Sequence, residues 1–392
     1  MAYSRKRHGD VSPTLRQRQS RRNLRANSLT VERRSKPVEV EKNRVEEPPA
    51  KTAAKSSAKP KAKRSKDSVP GKAVGPVVEA YRTTAGHMIH GRVEDALASP
   101  QLKALKGTVN LIVTSPPFPL VRKKRYGNET GEAYLTWLTS LAGPLTELLT
   151  DDGSIVIEIG NAWEEGAPVM STLPLEALLA FKKAAKLHLC QHIICHNPAR
   201  LPSPAAWVNI KRVRLKDSFT HVWWMSRSKE PKADNRRVLN PYSNDMKKLL
   251  KSQTYNAGVR PSGHVISKTG FLTDHGGAIA SNVVDLEDDG VVPESLLKFS
   301  GTKWDANYRD YCKRFSLPAH PARMQAMLSA FFVNFLSDPG DLVLDPFAGS
   351  NTTGAISQAL GRKWLGIEAS EEYVRGSRGR FEDFSDDQPP TI

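Results

Sequence analysis

Residues 109–118 have the sequence VNLIVTSPPF. The first five, Val109 to Val113, are mostly apolar and β-branched, which predicts a short buried strand. Pro116 and Pro117 stop that strand, because a proline cannot donate a ladder hydrogen bond and disfavours helix at the residue before it. The stretch therefore predicts a stiff polar and aromatic turn at the carboxyl end of a strand, where open α/β sheets bind their ligands.

The turn Ser115-Pro116-Pro117-Phe118 combines three kinds of binding group. A serine hydroxyl and backbone carbonyls accept hydrogen bonds, and an aromatic face stacks on a flat ring. This combination suits a planar ring that carries an amino group. The alternative is structural, namely two prolines that end a strand followed by a core phenylalanine. The tetrapeptide alone leaves both interpretations open.

A second functional stretch, DPFAGSNTTG, occupies residues 345–354. It joins a predicted strand over 341–345 to a helix that begins at Thr352, and its glycines and free helix-start N–H groups favour a bound ligand. No Lys-Ser/Thr follows Gly354 as in a phosphate-binding P-loop, and the G-x-G-x-x-G fingerprint is absent. Glu368 ends the next strand, where a carboxylate can accept hydrogen bonds from the hydroxyls of a ribose. The pattern therefore predicts a nucleoside site.

Strand and helix patterns alternate outward from these two stretches. Strands are predicted over 88–90, 109–113, 154–159, 187–196, 219–225, 341–345 and 364–368, and helices over 94–98, 132–149, 173–187, 324–336, 352–360 and 371–381. This order predicts an α/β fold with a doubly wound, mostly parallel sheet and helices on both faces. The strands over 187–196 and 219–225 are expected to pair as a hairpin.

The composition divides the chain into four segments. Residues 1–76 lack Phe and Trp and predict a disordered basic tail. Residues 77–228 and 299–384 hold the regular patterns, with the first stretch in one and the second in the other. Residues 229–298 have weak periodicity and are too long for one loop, which predicts an inserted recognition module.

Positive charge is concentrated in the tail. Residues 1–75 contain 21 Lys and Arg against 7 Asp and Glu, whereas residues 76–392 contain 37 and 34. Such a tail favours binding to a polyanion, and a solubilising arm is the alternative.

Several classes of protein are disfavoured. No apolar run is long enough for a membrane span, and the N-terminus lacks the apolar region of a secretory signal. A transit peptide is conceivable there, although the acidic residues from Glu32 to Glu47 weaken it. Three cysteines cannot build a disulfide framework, so the chain is expected to be intracellular. The cysteines and histidines between Cys190 and His196 fit no ordinary zinc spacing, so no metal is predicted.

The two functional stretches together resemble the amino-methyltransferases of DNA, which use S-adenosyl-L-methionine. The Ser-Pro-Pro-Phe form is most similar to the N4-cytosine group of restriction-modification systems. The catalytic motif precedes the cofactor motif, as in the permuted β class, and the resemblance covers roughly residues 80–383. It implies a seven-stranded, circularly permuted Rossmann-like sheet. Shorter supporting stretches occur at residues 81–86, 217–219, 233–235, 260–264 and 320–323.

The resemblance also implies roles for individual residues. Ser115 and Pro116 would hold the target amine, and Phe118, after Pro117, would stack on a flipped cytosine. The residues implied to bind the cofactor are Ser300, Thr302, Asp345, Phe347, Gly349, Ser350, Asn351, Thr352 and Glu368. Two departures from the family pattern are Gly91-Arg92, where Gly-Asp is common, and Ser350-Asn351, where Ser-Gly is commoner.

Basic residues are the expected contacts to double-stranded DNA. The candidates are Lys123, Lys124, Arg125, Arg212, Arg236, Arg260 and His264. Adenine-N6 methylation and a non-catalytic DNA-binding protein are the alternative functions. The resemblance leaves open a partner restriction endonuclease that acts on the same site. It implies a cytoplasmic, nucleoid-associated protein, expected to be a monomer or weak dimer.

Overall fold

The structure is a computed structural model that describes residues 76–119, 131–285 and 304–381. Residues 1–75 of the predicted tail, together with Lys123, Lys124, Arg125, Ser300 and Thr302, lie outside these described residues. Within them no helix is long and apolar enough to cross a membrane. The same residues contain no group of three or more His, Cys, Asp or Glu side chains placed to hold a metal ion.

Thirteen strands occur in the described residues. They are β1 (Val78–Arg82), β2 (Gly86–His90), β3 (Val109–Thr114), β4 (Leu149–Gly160), β5 (Ala162–Trp163), β6 (Met170–Ser171), β7 (His188–His196), β8 (Phe219–Ser226), β9 (Gly258–Val259), β10 (Val265–Ile266), β11 (Val283–Asp285), β12 (Leu342–Asp345) and β13 (Lys363–Glu368). Nine of them form the central sheet, in the spatial order β1-β2-β13-β12-β3-β4-β8-β7-β11.

Ten α-helices accompany these strands in the described part of the chain. They are α1 (Val93–Ala98), α2 (Pro100–Lys103), α3 (Gly131–Ser140), α4 (Ala142–Leu148), α5 (Leu173–Ala184), α6 (Asn244–Ser252), α7 (Ala306–Arg314), α8 (Ala326–Leu336), α9 (Thr352–Ala359) and α10 (Glu371–Ser377). Short helical turns of other types occupy Ala206–Ile210, Asn235–Val238 and Arg378–Arg380.

The sheet is mostly parallel, as predicted. The pairs from β2 through β13, β12 and β3 to β4 are all parallel, and β8 pairs antiparallel with both β4 and β7. The predicted hairpin of β7 and β8 is therefore confirmed. The sheet has nine strands rather than seven, because β1 pairs antiparallel with β2 at one edge and the three-residue β11 pairs with β7 at the other.

Chain order and spatial order differ at the centre of the sheet. Strands β12 and β13 come from the last part of the chain and lie between β2 and β3 from the first part. The segments 77–228 and 299–384 therefore contribute to one sheet. The segment 229–298 also contributes an edge strand, β11, so part of this expected recognition module belongs to the same sheet.

Apolar side chains of the inner strands pack on both faces. Ile155, Ile157 and Ile159 of β4 belong to one core cluster, which α3, α4 and α5 cover. Val156, between them, belongs to the cluster on the opposite face with the aromatic side chains of α8. This alternation follows from the two-residue period of a strand and makes the sheet doubly wound.

One predicted helix is divided in two. The pattern over 132–149 predicts a continuous helix, whereas α3 ends at Ser140 and α4 begins at Ala142. Pro144 accounts for the break, because its ring clashes with the carbonyl four residues earlier, that of Ser140, and it lacks an N–H donor.

Candidate active site

Two strand ends form the centre of the site. The strands β3 and β12 are parallel neighbours, and the Thr114 hydroxyl at the end of β3 donates to Asp345 Oδ1 at the end of β12 over 2.7 Å. Asp345 Oδ1 also accepts the Phe347 N–H at 3.1 Å. Burial raises the pKa of the Asp345 carboxyl to about 6. This contact places the two predicted functional stretches side by side.

A cavity of about 280 Å³ opens between the two stretches. All four residues of the predicted catalytic turn line it, as do five of the predicted cofactor residues. The predicted site residues that line it are Ser115, Pro116, Pro117, Phe118, Asp345, Phe347, Gly349, Ser350 and Glu368. One concave site thus joins the predicted amine-binding turn to the predicted nucleoside site.

The Phe118 ring occupies the space that the glycine at position 160 of β4 leaves free. An ideal Cβ placed on Gly160 would lie 2.6 Å from Phe118 Cε2 and 2.7 Å from Cδ2. Only glycine leaves space for the ring at this point. The half-buried Phe118 therefore packs on the end of β4 while it lines the cavity.

Glu158 is a candidate functional residue that the sequence analysis missed. The pairing of Thr114 with Ile157 brings the next residues, Ser115 and Glu158, together at the ends of β3 and β4. The Ser115 side chain lies within hydrogen-bonding reach of the buried Glu158 carboxylate, and Thr220 Oγ1 donates to Glu158 Oε1 at 2.8 Å. Burial raises the pKa of the Glu158 carboxyl, and these hydrogen bonds offset part of the effect. The signal that the sequence offered for Glu158 was an acidic residue within the otherwise apolar stretch IVIEIG, residues 155–160.

Glu368 closes the opposite side of the cavity. Its Oε2 accepts the Gly349 N–H at 2.9 Å, and its Oε1 accepts the Ser370 N–H at 2.8 Å. Burial raises the pKa of this carboxyl, whereas the backbone donors lower it. Each carboxylate oxygen retains acceptor capacity toward the cavity.

Gly349 brings the backbone close to a histidine ring. Its φ is +51°, in the left-handed region, and an ideal Cβ would lie 3.2 Å from His320 Cε1. The His320 ring also lines the cavity and packs edge-on against Tyr373, with 4.5 Å between centroids. Burial lowers the pKa of His320 to about 4. The ring is therefore neutral at pH 7.

Two predicted cofactor residues do not line the cavity. Asn351 and Thr352 are buried behind the loop. Asn351 has a φ of +55° and caps α9, since its Oδ1 accepts the Gly354 N–H at 3.1 Å, and its Nδ2 donates to the Tyr81 hydroxyl at 3.1 Å. The structure thus places Asn351 in support of the loop rather than in contact with the cavity.

A buried arginine supports the same loop and was not predicted. Arg380 Nε donates to the Ser350 carbonyl at 2.7 Å, and its terminal nitrogen donates to Ser350 Oγ at 3.0 Å and Asp305 Oδ1 at 2.9 Å. Arg323 donates to the other oxygen of Asp305 at 2.9 Å. The short helical pattern at the end of the chain gave no signal for this contact.

The sequence departure at Arg92 lies at the cavity wall. Arg92 and Glu94 both line the cavity, and Arg92 donates to Glu94 Oε1 at 3.0 Å. Trp137 Nε1 donates to the same oxygen at 2.8 Å, and the Trp137 ring lies 5.6 Å from that of Phe347. A carboxylate is therefore present here, two residues beyond the position where the family commonly has Asp.

The described DNA-binding candidates lie outside the cavity. Arg212 is exposed in the loop between β7 and β8. Arg260 and His264 flank the exposed turn between β9 and β10, and their backbones are hydrogen-bonded to each other at 2.8 Å. Arg236 forms two side-chain hydrogen bonds with Asp234, at 2.8 and 2.9 Å, so its charge is already partnered.

Comparisons with known proteins agree with this geometry. A family model described as DNA methylase matches residues 109–378. The type II methyltransferase M.PvuII of Proteus hauseri is 39% identical over 306 residues, which are 78% of this chain and 86% of that protein. The solved structure of the cytosine-N4-specific PvuII DNA methyltransferase has a TM-score of 0.57 and 32% identity, and the match covers 79% of this chain and 90% of that one. The DNA adenine methyltransferase YhdJ of Escherichia coli K12 is 38% identical over 93 residues, 24% of this chain and 31% of its own length. The chain belongs to the DNA methylase family.

Proposed function

We propose that this protein transfers a methyl group from S-adenosyl-L-methionine to the N4 amine of a cytosine flipped out of duplex DNA at a specific site. The observation that carries the proposal is the position of Ser115, which lines the same cavity as Glu368 and lies beside the buried Glu158. A cytosine-N4-specific relative that matches most of the chain supports the choice of base.

The cavity fits a nucleoside-containing cofactor. Glu368 would accept the ribose hydroxyls, and Phe347 and Trp137 supply aromatic surface beside it. The Arg92 and Glu94 pair supplies polar groups for the adenine base of the cofactor. When bound, S-adenosyl-L-methionine supplies an electrophilic methyl group on a sulfonium. Ser300 and Thr302, proposed for its methionine end, lie outside the described residues.

The catalytic turn would hold the target amine. When the Ser115 hydroxyl directs its hydrogen to Glu158, its oxygen lone pairs are left to accept a hydrogen bond from the amine. The Pro116 carbonyl would accept the second N–H, and Phe118 would stack on the ring. Two acceptors on the N–H groups orient the nitrogen lone pair away from the turn and toward the cofactor side of the cavity.

Glu158 would stabilise positive charge and receive a proton. The target nitrogen becomes cationic as it is methylated, and the buried carboxylate is connected to it through Ser115. The methylated nitrogen must then lose one proton. The raised pKa makes Glu158 a better acceptor for that proton, which would pass by way of the Ser115 hydroxyl.

Product analysis tests the proposal. Genomic DNA is incubated with the full chain and cofactor labelled in the methyl group, then digested to nucleosides for mass spectrometry. We expect labelled N4-methylcytosine. Labelled N6-methyladenine would overturn the choice of base but keep the cofactor, and DNA binding without label would overturn methyl transfer.

Assembly and location follow the family expectation. We infer that the protein acts on nucleoid DNA in the cytoplasm, as a monomer or weak dimer, beside a restriction endonuclease of the same specificity. Sedimentation with and without DNA tests the oligomeric state. Cleavage of unmodified but not of methylated DNA by host extract tests for the endonuclease.

A further inference from the structure

The loop over residues 197–218 starts at the same sheet edge as the catalytic turn. It connects the end of β7 to the start of β8. Thr220, two residues after the loop, donates to Glu158 Oε1 at 2.8 Å, and the charge of Arg200 in the loop lowers the pKa of Glu158. The loop therefore begins and ends beside the group that holds Ser115.

The loop exposes apolar side chains to an unusual extent. Leu201, Ile210, Val213 and Leu215 are 82%, 77%, 61% and 88% exposed. Single exposed aliphatic residues are common on protein surfaces, but four within fifteen positions of one loop indicate a contact surface. Because these side chains lie beside the catalytic turn, the DNA substrate is the partner that they would contact.

Hydrogen bonds and ring contacts hold the loop in shape. The Arg214 guanidinium lies 3.2 Å from the centre of the Trp163 ring, and Asn161 Nδ2 donates to Asp217 Oδ1 at 2.8 Å. Lys216 Nζ donates to the Pro198 carbonyl at 2.6 Å. The exposed aliphatic groups are thus presented on an anchored loop, which lowers the entropy lost when they insert into a partner.

The net positive charge of the loop favours a polyanion as its partner. The loop contains five basic residues and one acidic residue. Lys211 and Arg212 are exposed and lie next in sequence to Ile210. Apolar side chains flanked by basic ones match a DNA-binding wedge, in which cations contact phosphates and an aliphatic group enters the base stack.

We propose that the 197–218 loop inserts an aliphatic side chain, from Leu201, Ile210 or Leu215, into the DNA stack and fills the space that the flipped target base leaves. This inference rests on the proposed base-flipping function. The loop would lower the cost of the extruded state by replacing lost stacking with apolar contact. It would contribute little to methyl transfer once the base is in the cavity.

The test uses the triple variant Leu201→Ser, Ile210→Ser, Leu215→Ser in the full chain. The methylated site is first mapped by sequencing DNA that the wild-type protein has modified. Single-turnover methyl transfer is then measured on a duplex with that site, and on the same duplex with an abasic position opposite the target base. Leu179→Ser on α5, where the leucine is 57% exposed, is the matched control.

We expect the triple variant to be at least tenfold slower on the paired duplex and within threefold of wild type on the abasic duplex, with the control unchanged on both. Full activity of the triple variant on the paired duplex would overturn the inference. Equal loss on both duplexes, together with a change in sedimentation, would instead assign the loop to a protein interface. The wild-type protein reports separately on the proposed function, because its failure to methylate any duplex overturns that function.

Discussion

The Thr114 hydroxyl donates to Asp345 Oδ1 over 2.7 Å and joins residues that are 231 positions apart in the chain. Thr114 immediately precedes the predicted catalytic turn, and Asp345 begins the predicted cofactor loop. Both side chains are buried, and this hydrogen bond adds to the pairing of β3 with β12 in holding the two halves of the site together. Catalysis by orientation depends on such a fixed distance.

Replacement of Thr114 by valine should weaken both folding and turnover. The variant leaves the buried Asp345 carboxyl without one hydrogen-bond donor, which costs about 1–3 kcal/mol of unfolding free energy. It should also raise the pKa of Asp345 above its present value of about 6. Urea unfolding and kcat measure the two effects. Thr114→Ser, which keeps the hydroxyl, is the control, and equal stability of the two variants would contradict this role.

Gly160→Ala should displace Phe118 and spare cofactor binding. The new methyl group would overlap the ring at 2.6 Å, and overpacking of this kind costs about 1–3 kcal/mol. We expect kcat to fall about tenfold or more while the Kd for the cofactor changes little.

The matched control for Gly160→Ala is Gly143→Ala in α4. A Cβ at Gly143 would meet nothing within 4 Å, so alanine should be neutral or stabilise the helix by up to about 1 kcal/mol. Unchanged kcat in the Gly160 variant would show that the position of Phe118 does not matter for turnover.

Glu158→Gln should lower kcat and change its pH dependence. The wild-type carboxyl has a pKa raised by burial, so kcat should fall as the pH drops and this group becomes protonated. The amide can still accept hydrogen bonds from Ser115 and Thr220 but carries no charge. We expect a loss of about 100-fold in single-turnover rate and no remaining acid limb from this group. An unchanged acid limb in the variant would exclude Glu158 as its source.

His320 should make the protein less stable in acid. Its pKa is lowered from 6.5 to about 4, first by burial and further by Arg323 and Arg380, so the unfolded chain takes up a proton that the folded chain excludes. The free energy of unfolding should therefore fall as the pH is lowered from about 6.5 to about 4, by up to about 1.4 kcal/mol per pH unit from this group.

Urea titrations of wild type and His320→Gln across this pH range measure the effect of His320. Because glutamine does not titrate, stability of the variant should depend less steeply on pH. Equal slopes of unfolding free energy against pH for the two proteins would refute the conclusion that His320 is buried in its neutral form.

The strands that carry the site were predictable because their signals are local. The apolar strands that end at Thr114, Asp345 and Glu368 lie within one residue of their predicted bounds. Glu158 was not identified, since its contact with Ser115 depends on the register of β3 against β4, which no single stretch encodes.

The sequence predicted only in part which residues line the cavity and which lie behind it. Asn351 has the residue type and spacing of a ligand-binding loop, but its left-handed backbone and its contact with Tyr81 turn it inward. The brace from Arg380 to Ser350 and the exposure of Leu201 and Leu215 likewise depend on tertiary packing. Of the two added edge strands, β11 has only three residues and β1 pairs with β2 across the turn that follows it, so pairing rather than sequence pattern defines both.

The most direct test of the account compares wild type with Ser115→Ala for methyl incorporation into genomic DNA, at saturating labelled cofactor. Wild type should yield labelled N4-methylcytosine, and the variant should incorporate label at least 100-fold more slowly with its Kd values for cofactor and DNA within about twofold of wild type. Undiminished N4-methylcytosine formation by Ser115→Ala would contradict the proposed role of Ser115 and Glu158 in positioning the target amine.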